Sequence, residues 1–215
     1  MSDRIKIGIV DTKTSNIQSV INACKNDNLQ IDVIDKEINI NTLNGLIVPG
    51  VGSFKAVMNN LREKNIDKSI FEFIDSGKPL LFICVGMQIL FESSEENEGT
   101  EGLSIIKGKV KKIPNNFNQN NIKVPVIGWN KLNLKMDSRL IKNHDDFDSH
   151  YYFIHSYYVD IVDKNCILST TSINDFEYCS AINFKNIYAT QFHPEKSGEK
   201  GLEIYSNFKK ICLDV

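Results

Sequence analysis

The chain has 215 residues, enough for one domain with a substantial core, and 41% hydrophobic and 24% charged residues are ordinary for a globular fold. A net charge of −2 gives no electrostatic footprint for nucleic acid or an anionic membrane, and no apolar run approaches a membrane span. Five widely spaced cysteines without a C-x-x-C pair, four scattered histidines and no signal-peptide architecture imply a reduced, cytoplasmic protein with no metal and no cofactor.

The first half alternates strand and helix. Ile5 to Val10 is a short apolar run that reads as a buried parallel strand. Asn16 can cap a helix with Ile17, Val20, Ile21 and Cys24 on one face. Ile31 to Ile34 and Leu46 to Val48 read as strands. Ser53 caps a helix carrying Phe54, Val57, Met58 and Leu61, and Asp67 starts one carrying Ile70, Phe71 and Ile74, stopped by Gly77 and Pro79. Leu80 to Ile83 is a strand that ends at Cys84.

The second half is richer in strands, expected at 104–106, 109–113, 131–134, 151–155, 167–171, 180–184 and 187–191. The Asn-rich stretch 114–123 and the acidic stretch 143–150 read as loops. A last helix over 201–212 buries Leu202, Ile204, Tyr205, Phe208 and Ile211. The fold class is α/β: a mixed, mostly parallel central sheet flanked by helices, flavodoxin-like, with additional antiparallel strands, in one domain over 1–215. Ligands of such sheets bind at the carboxyl ends of the strands, where Cys84 and Gly50-Val51-Gly52 fall.

Cys84 leads from an apolar run into Val85-Gly86-Met87-Gln88. A strand–Cys–helix elbow exposes the sulfur and sets it at a helix N-terminus, which favours a thiolate. His193 is a candidate base and Glu195 a candidate to orient it, the set that covalent acyl chemistry needs. The competing reading is a buried strand cysteine and an unrelated surface histidine. Gly50 and Gly52 let backbone approach a ligand, and their N–H groups can stabilise an oxyanion; the alternative is a tight strand-to-helix turn. Gln88, one turn after the thiol, can recognise a polar amino-acid head group or be a solvated glutamine.

These strings resemble class I glutamine amidotransferases, and among them the glutaminase subunits of imidazole glycerol phosphate synthase, the HisH family. Pro49 to Phe54, Phe82 to Gln88, Gly128-Trp129-Asn130, Tyr152 to Tyr157 and Gln191 to Ser197 stand in family order over nearly the whole chain. The resemblance implies Cys84 attacking the side-chain amide of glutamine, His193 as base and then acid, and Glu195 orienting it. It implies an oxyanion hole from the N–H groups of Val51 and Val85, with glutamine contacted by Gly50, Gly52, Gln88 and backbone near Ser156 and Tyr157. Ammonia would pass to a cyclase subunit, a (β/α)₈ barrel, which makes imidazole glycerol phosphate and an aminoimidazole carboxamide ribonucleotide in histidine biosynthesis. Trp129, Tyr152 and Lys196 would line that heterodimer interface or the ammonia gate; as isolated residues, a tryptophan and a lysine read as core and solvent. His155 reads as a structural hydrogen-bonder, and His144 and His150 have no assigned role.

Three positions depart from the family. Phe82 stands where a glycine usually packs against the elbow, which places the elbow's packing in question. Val126 replaces a histidine, and Asp11 to Asn16 lacks both glycines of the usual turn. Two other readings stand beside the histidine pathway: a paralogous glutaminase feeding an enzyme that amidinates surface sugars, and a catalytically silent scaffold for a barrel enzyme. A free-standing hydrolase such as a γ-glutamyl hydrolase is a further one.

Overall fold

The computed structural model describes residues 5–13, 16–25, 29–37, 39–97, 99–142 and 150–214. In chain order the first half holds β1 (Ile5–Val10), α1 (Ile17–Cys24), β2 (Leu29–Ile34), β3 (Gly45–Gly50), α2 (Phe54–Glu63), α3 (Ile66–Asp75), β4 (Leu80–Cys84) and the one-turn α4 (Val85–Gln88). There follow β5 (Ser93–Ser94), β6 (Thr100–Glu101), β7 (Gly108–Lys112), β8 (Asn116–Phe117), β9 (Asn120–Asn121), β10 (Val126–Lys131) and β11 (Asn133–Leu134). The chain ends with β12 (His150–His155), β13 (Tyr157–Ile161), β14 (Ile167–Ile173), β15 (Phe176–Phe184), β16 (Ile187–Thr190) and α5 (Gly198–Leu213).

Eight strands form the main sheet in the order β11-β14-β15-β16-β4-β3-β1-β2. From β16 to β2 neighbouring strands run parallel. Strands β15, β14 and β11 extend the sheet antiparallel. The mixed, mostly parallel sheet expected from the sequence is the one observed. Helices cover both faces of a parallel sheet, so its central strands need apolar side chains in both directions. Every residue of β3 and β4 is buried accordingly. Helix α2 buries Phe54, Val57, Met58 and Leu61, and the Ser53 side chain accepts from Ala56 N–H at its start, as read. Beside the main sheet lie a ribbon of β10 with β12, a group in the order β13-β7-β5-β6, and a hairpin of β8 and β9. Among the described residues no helix is long and apolar enough to cross a membrane.

Several local readings are corrected. Residues 104–106 are not a strand: the N–H groups of Leu103, Ser104, Ile105 and Ile106 donate to carbonyls of Ile89, Phe91 and Leu90, so none is left for a ladder. Within 114–123 the chain forms the β8–β9 hairpin, because Asn118 and Gln119 both take positive φ (48° and 67°), the demand of a tight primed turn. The stretch 131–134 divides between β10 and β11, and β10 and β13 were not anticipated. Helix α3 buries Ile66, Ser69, Ile70 and Phe73, leaving Phe71 about 100° round the axis and exposed. Leu202 is likewise exposed beside the stripe of α5. Asn16 makes no side-chain cap for α1. His144 and the rest of 143–149 lie outside the described residues, while His150 opens β12.

Candidate active site

Register brings the motifs together. Strand β4 lies between β3 and β16, parallel to both, with Gly50 opposite Cys84 and Thr190 opposite Ile83. The segments that leave these strands, Val51-Gly52, Val85-Gly86 and Gln191-Phe192-His193, therefore emerge at one edge. Cys84 turns the corner with φ 56° and ψ −112°. A side chain rarely adopts that backbone, which costs on the order of 1–3 kcal/mol and persists only where the surroundings impose it. The surroundings are tight: a Cβ on Gly86 would meet the Val48 carbonyl oxygen, and one on Gly50 would lie 2.7 Å from the Gly86 nitrogen.

Phe82 does not disturb this corner. It sits within the regular ladder of β4, between Val48 and Ala189, and is fully buried. Its cross-strand neighbour Ala189 is small, which leaves the ring room. The close approach that needs glycine falls at Gly86 and Gly50 instead. In the early turn, Lys13 takes φ 58° where the family has glycine, and its N–H and ammonium both bond the Asp11 carboxylate. Thr14 and Ser15 of that turn lie outside the described residues.

His193 starts a short 3-10 turn at Pro194–Lys196. Its backbone N–H donates to Tyr152 O at 2.9 Å, and Ser197 Oγ donates to its carbonyl at 2.6 Å. The turn folds Glu195 back, so that His193 Nδ1 donates to Glu195 Oε1 at 2.7 Å. Tyr205 OH, from α5, donates to the other carboxylate oxygen at 3.4 Å. His193 Nε2 is buried and makes no hydrogen bond of its own. Burial works against a charged imidazole here. The Cys84 sulfur and then Glu195 outweigh it and hold the His193 pKa up, at about 10. His155 is the opposite case. Burial, opposed by the Tyr157 carbonyl and helped by His193, pushes it down to about 4. It is a neutral hydrogen-bonder, as read, bound to Tyr157 O at 2.8 Å and Tyr178 OH at 3.2 Å.

A cavity of about 240 Å³ opens at this corner. Cys84, His193, Glu195, Gly50, Val51, Gly52, Val85 and Lys196 all line it. Gln88, Ser156 and Tyr157, expected at the glutamine site, are not among its lining residues. Gln88 is buried rather than solvated, with Nε2 on Tyr157 O at 3.2 Å, and Ser156 O accepts from Ile113 N–H at 2.9 Å. Trp129 and Tyr152 lie on the outer face of the β10–β12 ribbon, paired across it with rings edge to face at 6.0 Å. Trp129 is 54% exposed and not the core residue an isolated tryptophan suggests. Lys196 Nζ sits 5.9 Å from the Tyr152 ring centroid. Ile154, Gln191 and Tyr205 are among the residues at the site that were not picked from the sequence. Ile154 lines the cavity with its carbonyl oxygen 4.0 Å from the Cys84 sulfur. Gln191 donates to that sulfur, and Tyr205 holds Glu195. Gln191 opens the Gln191 to Ser197 string, but its place beside the sulfur follows from the pairing of β4 with β16, and Tyr205 reads as one more core aromatic on α5.

A family model, glutamine amidotransferase class-I, matches residues 8–211. An imidazole glycerol phosphate synthase subunit HisH of Geobacillus sp. (strain WCH70) is 42% identical over 206 residues, 95% of this chain and 96% of that protein. The subunit of the same name from Pyrococcus furiosus is 40% identical over 210 residues, covering 96% of this chain and 99% of its own. Among solved structures, PurLQS from Thermotoga maritima aligns with TM-score 0.71 at 16% identity, over 95% of this chain and 97% of that one. A glutamine amidotransferase crystal structure aligns with TM-score 0.69 at 15% identity, over 96% and 98%. The distant structures speak for the fold. The family model and the end-to-end similarity to the HisH proteins carry more: this chain belongs to the class I glutamine amidotransferases, within the HisH family of imidazole glycerol phosphate synthase subunits.

Proposed function

We propose that this chain is the glutaminase subunit of an imidazole glycerol phosphate synthase and that Cys84, His193 and Glu195 carry the reaction. The observation behind the triad is the cavity itself: it is lined by all three side chains, and His193 is bonded to Glu195 at 2.7 Å. The thiol proton passes to His193, whose raised pKa suits it to hold that proton. The Cys84 sulfur attacks the side-chain carbonyl carbon of glutamine, and the carbonyl electrons move onto oxygen. Backbone N–H groups of Val51 and Val85, both at the cavity, receive that oxyanion. His193 gives its proton to the nitrogen, the C–N bond breaks, and ammonia leaves a glutamyl thioester. Water then attacks, His193 takes its proton, the C–S bond breaks, and glutamate departs. Gly50, Gly52, Gln88 and the backbone at Ser156 and Tyr157 are assigned to glutamine binding.

The acceptor is a cyclase subunit built as a (β/α)₈ barrel. It uses the ammonia to form imidazole glycerol phosphate and an aminoimidazole carboxamide ribonucleotide in histidine biosynthesis. Trp129, Tyr152 and Lys196 form the docking face or ammonia gate. The names of the relatives support this partner over a sugar-amidinating one, and a complete triad argues against a silent scaffold. Five free cysteines among the described residues accord with the reducing cytoplasm. The test is growth without histidine of a bacterium lacking its own glutaminase subunit, with the cognate cyclase co-expressed. Wild type restores growth and Cys84→Ala does not, with glutamine turnover down a thousandfold or more. Soluble, glutamine-hydrolysing protein that fails to restore growth would move the partner assignment to the paralogous pathway.

A further inference from the structure

We propose that Gln191 is a catalytic residue whose side-chain N–H group holds the Cys84 sulfur, and that Gln88 is the positioning residue that aims it; this rests on Cys84 being the nucleophile. Gln191 is fully buried, and its Nε2 lies 3.7 Å from Cys84 Sγ. Parallel pairing makes them neighbours, since Thr190 stands opposite Ile83 and each chain advances one residue further.

The direction of each amide follows from its partners. The Tyr157 carbonyl can only accept, so the end of Gln88 facing it at 3.2 Å must be the NH₂ group. That same nitrogen reaches Gln191 at 3.1 Å, so the facing atom of Gln191 must be Oε1. The NH₂ end of Gln191 is then left for the sulfur. The chain has a fixed far end too. Neutral His155 donates from Nδ1 to the same Tyr157 carbonyl and accepts from Tyr178 OH at Nε2. A run of buried and partly buried hydrogen bonds thus crosses from Tyr178 to the nucleophile, and each bond orients the next.

The consequence is chemical. A thiol sulfur is a weak acceptor, whereas a hydrogen bond to a charged sulfur is roughly twice as strong as a neutral one. Gln191 therefore favours the sulfur in its attacking form. It favours it again when the thioester breaks and the C–S electrons return to sulfur. During the attack itself the charge moves onto the carbonyl oxygen and the bond weakens, so Gln191 acts on the readiness and the departure of the sulfur.

The test is alkylation of Cys84 by iodoacetamide at pH 7, in which an S–C bond forms and iodide leaves, without any need to bind glutamine. Gln191→Met keeps length and burial but removes the donor to the sulfur and, with it, the acceptor of Gln88. Its alkylation rate is expected to fall on the order of tenfold in a protein that stays folded, with kcat reduced more than KM. Gln88→Met leaves Gln191 unaimed and falls less. The double variant matches Gln191→Met, because Gln88 reaches the sulfur only through Gln191. A folded Gln191→Met protein alkylated at the wild-type rate, or additive losses in the double variant, would overturn the proposal. Should Gln191→Met not fold, a wild-type alkylation rate in Gln88→Met overturns it alone. Persistent glutamine turnover in Cys84→Ala would instead remove the nucleophile reading beneath it.

Discussion

Gly86 packs directly beneath Val48: a Cβ at Gly86 would stand 2.2 Å from the Val48 carbonyl oxygen, closer than any real contact. The first turn of α4, and with it the N–H of Val85, is held against the end of β3 by that approach. Gly86→Ala is expected to cost about 3 kcal/mol and to displace the elbow, because backbone, not a flexible side chain, is in the way. Phe82→Gly restores the usual family residue, yet it is expected to destabilise this chain by about 4 kcal/mol through the cavity left by the ring. Urea denaturation of both variants checks the pair. A Phe82→Gly protein at least as stable as wild type would show that the core does not need the ring.

The two buried imidazoles titrate on opposite sides of neutrality. His193 is held up to about 10 and His155 is pushed down to about 4. A raised pKa means that His193 keeps its proton throughout the neutral range and loses it as pH rises through about 10. On the proposed mechanism the acid for departing ammonia is then gone, and turnover is expected to decline on that limb. Burial opposes this charge, and Cys84 is foremost among the groups that restore it. Cys84→Ala is therefore expected to lower the His193 midpoint by more than a unit. Imidazole NMR against pH measures it, and an unmoved midpoint would detach His193 from the sulfur.

One thiol of five should react with a glutamine-like electrophile. Burial and the Glu195 charge push Cys24 up to about 12, and burial with Cys24 does the same for Cys212. Burial also raises Cys166 and Cys179. A thiol so shifted carries almost no thiolate at neutral pH and is inert. Cys84 lines the cavity and is expected to be labelled once per chain, as read by peptide mass spectrometry. Label spread over Cys24 or Cys212 contradicts this.

The outer face of the β10–β12 ribbon exposes Ile127, Trp129 and Ile154 together. Exposed side chains contribute little to folding, so Trp129→Ala should change stability by about 0.5 kcal/mol or less. A central aromatic at an interface is worth far more, and affinity for the cyclase subunit is expected to drop tenfold or more. Calorimetric titration with the cyclase gives the affinity directly. Unchanged affinity would move the docking face elsewhere.

The sheet was legible where burial on both sides writes an unbroken apolar string, as in Leu80-Leu81-Phe82-Ile83. Cys84, His193 and Glu195 were picked as candidates by residue type, and the structure brings all three to one cavity. Strand β10 was not, because Val126-Ile127-Gly128-Trp129-Asn130-Lys131 buries only Val126 and so lacks the signature of a core strand. The β8–β9 hairpin hid in asparagines that serve loops and tight turns equally. Phe71 and Leu202 were misplaced because one residue of helix turns a side chain by about 100°, enough to leave a stripe. Gln191 was hidden for a different reason: 107 residues separate it from Cys84, and only the register of two parallel strands closes that gap.

Strand β12 is a party wall. On one side its Tyr152 carbonyl accepts from the His193 N–H, its Tyr152 N–H donates to Ser197 Oγ, and its Ile154 carbonyl faces the sulfur. On the other it shows Tyr152 and Ile154 to whatever lies outside. A neighbour pressed against that face would stand one strand's thickness from the chemistry. His193 and Cys84 lean on the same few peptide units, so a small tilt of the ribbon alters both at once.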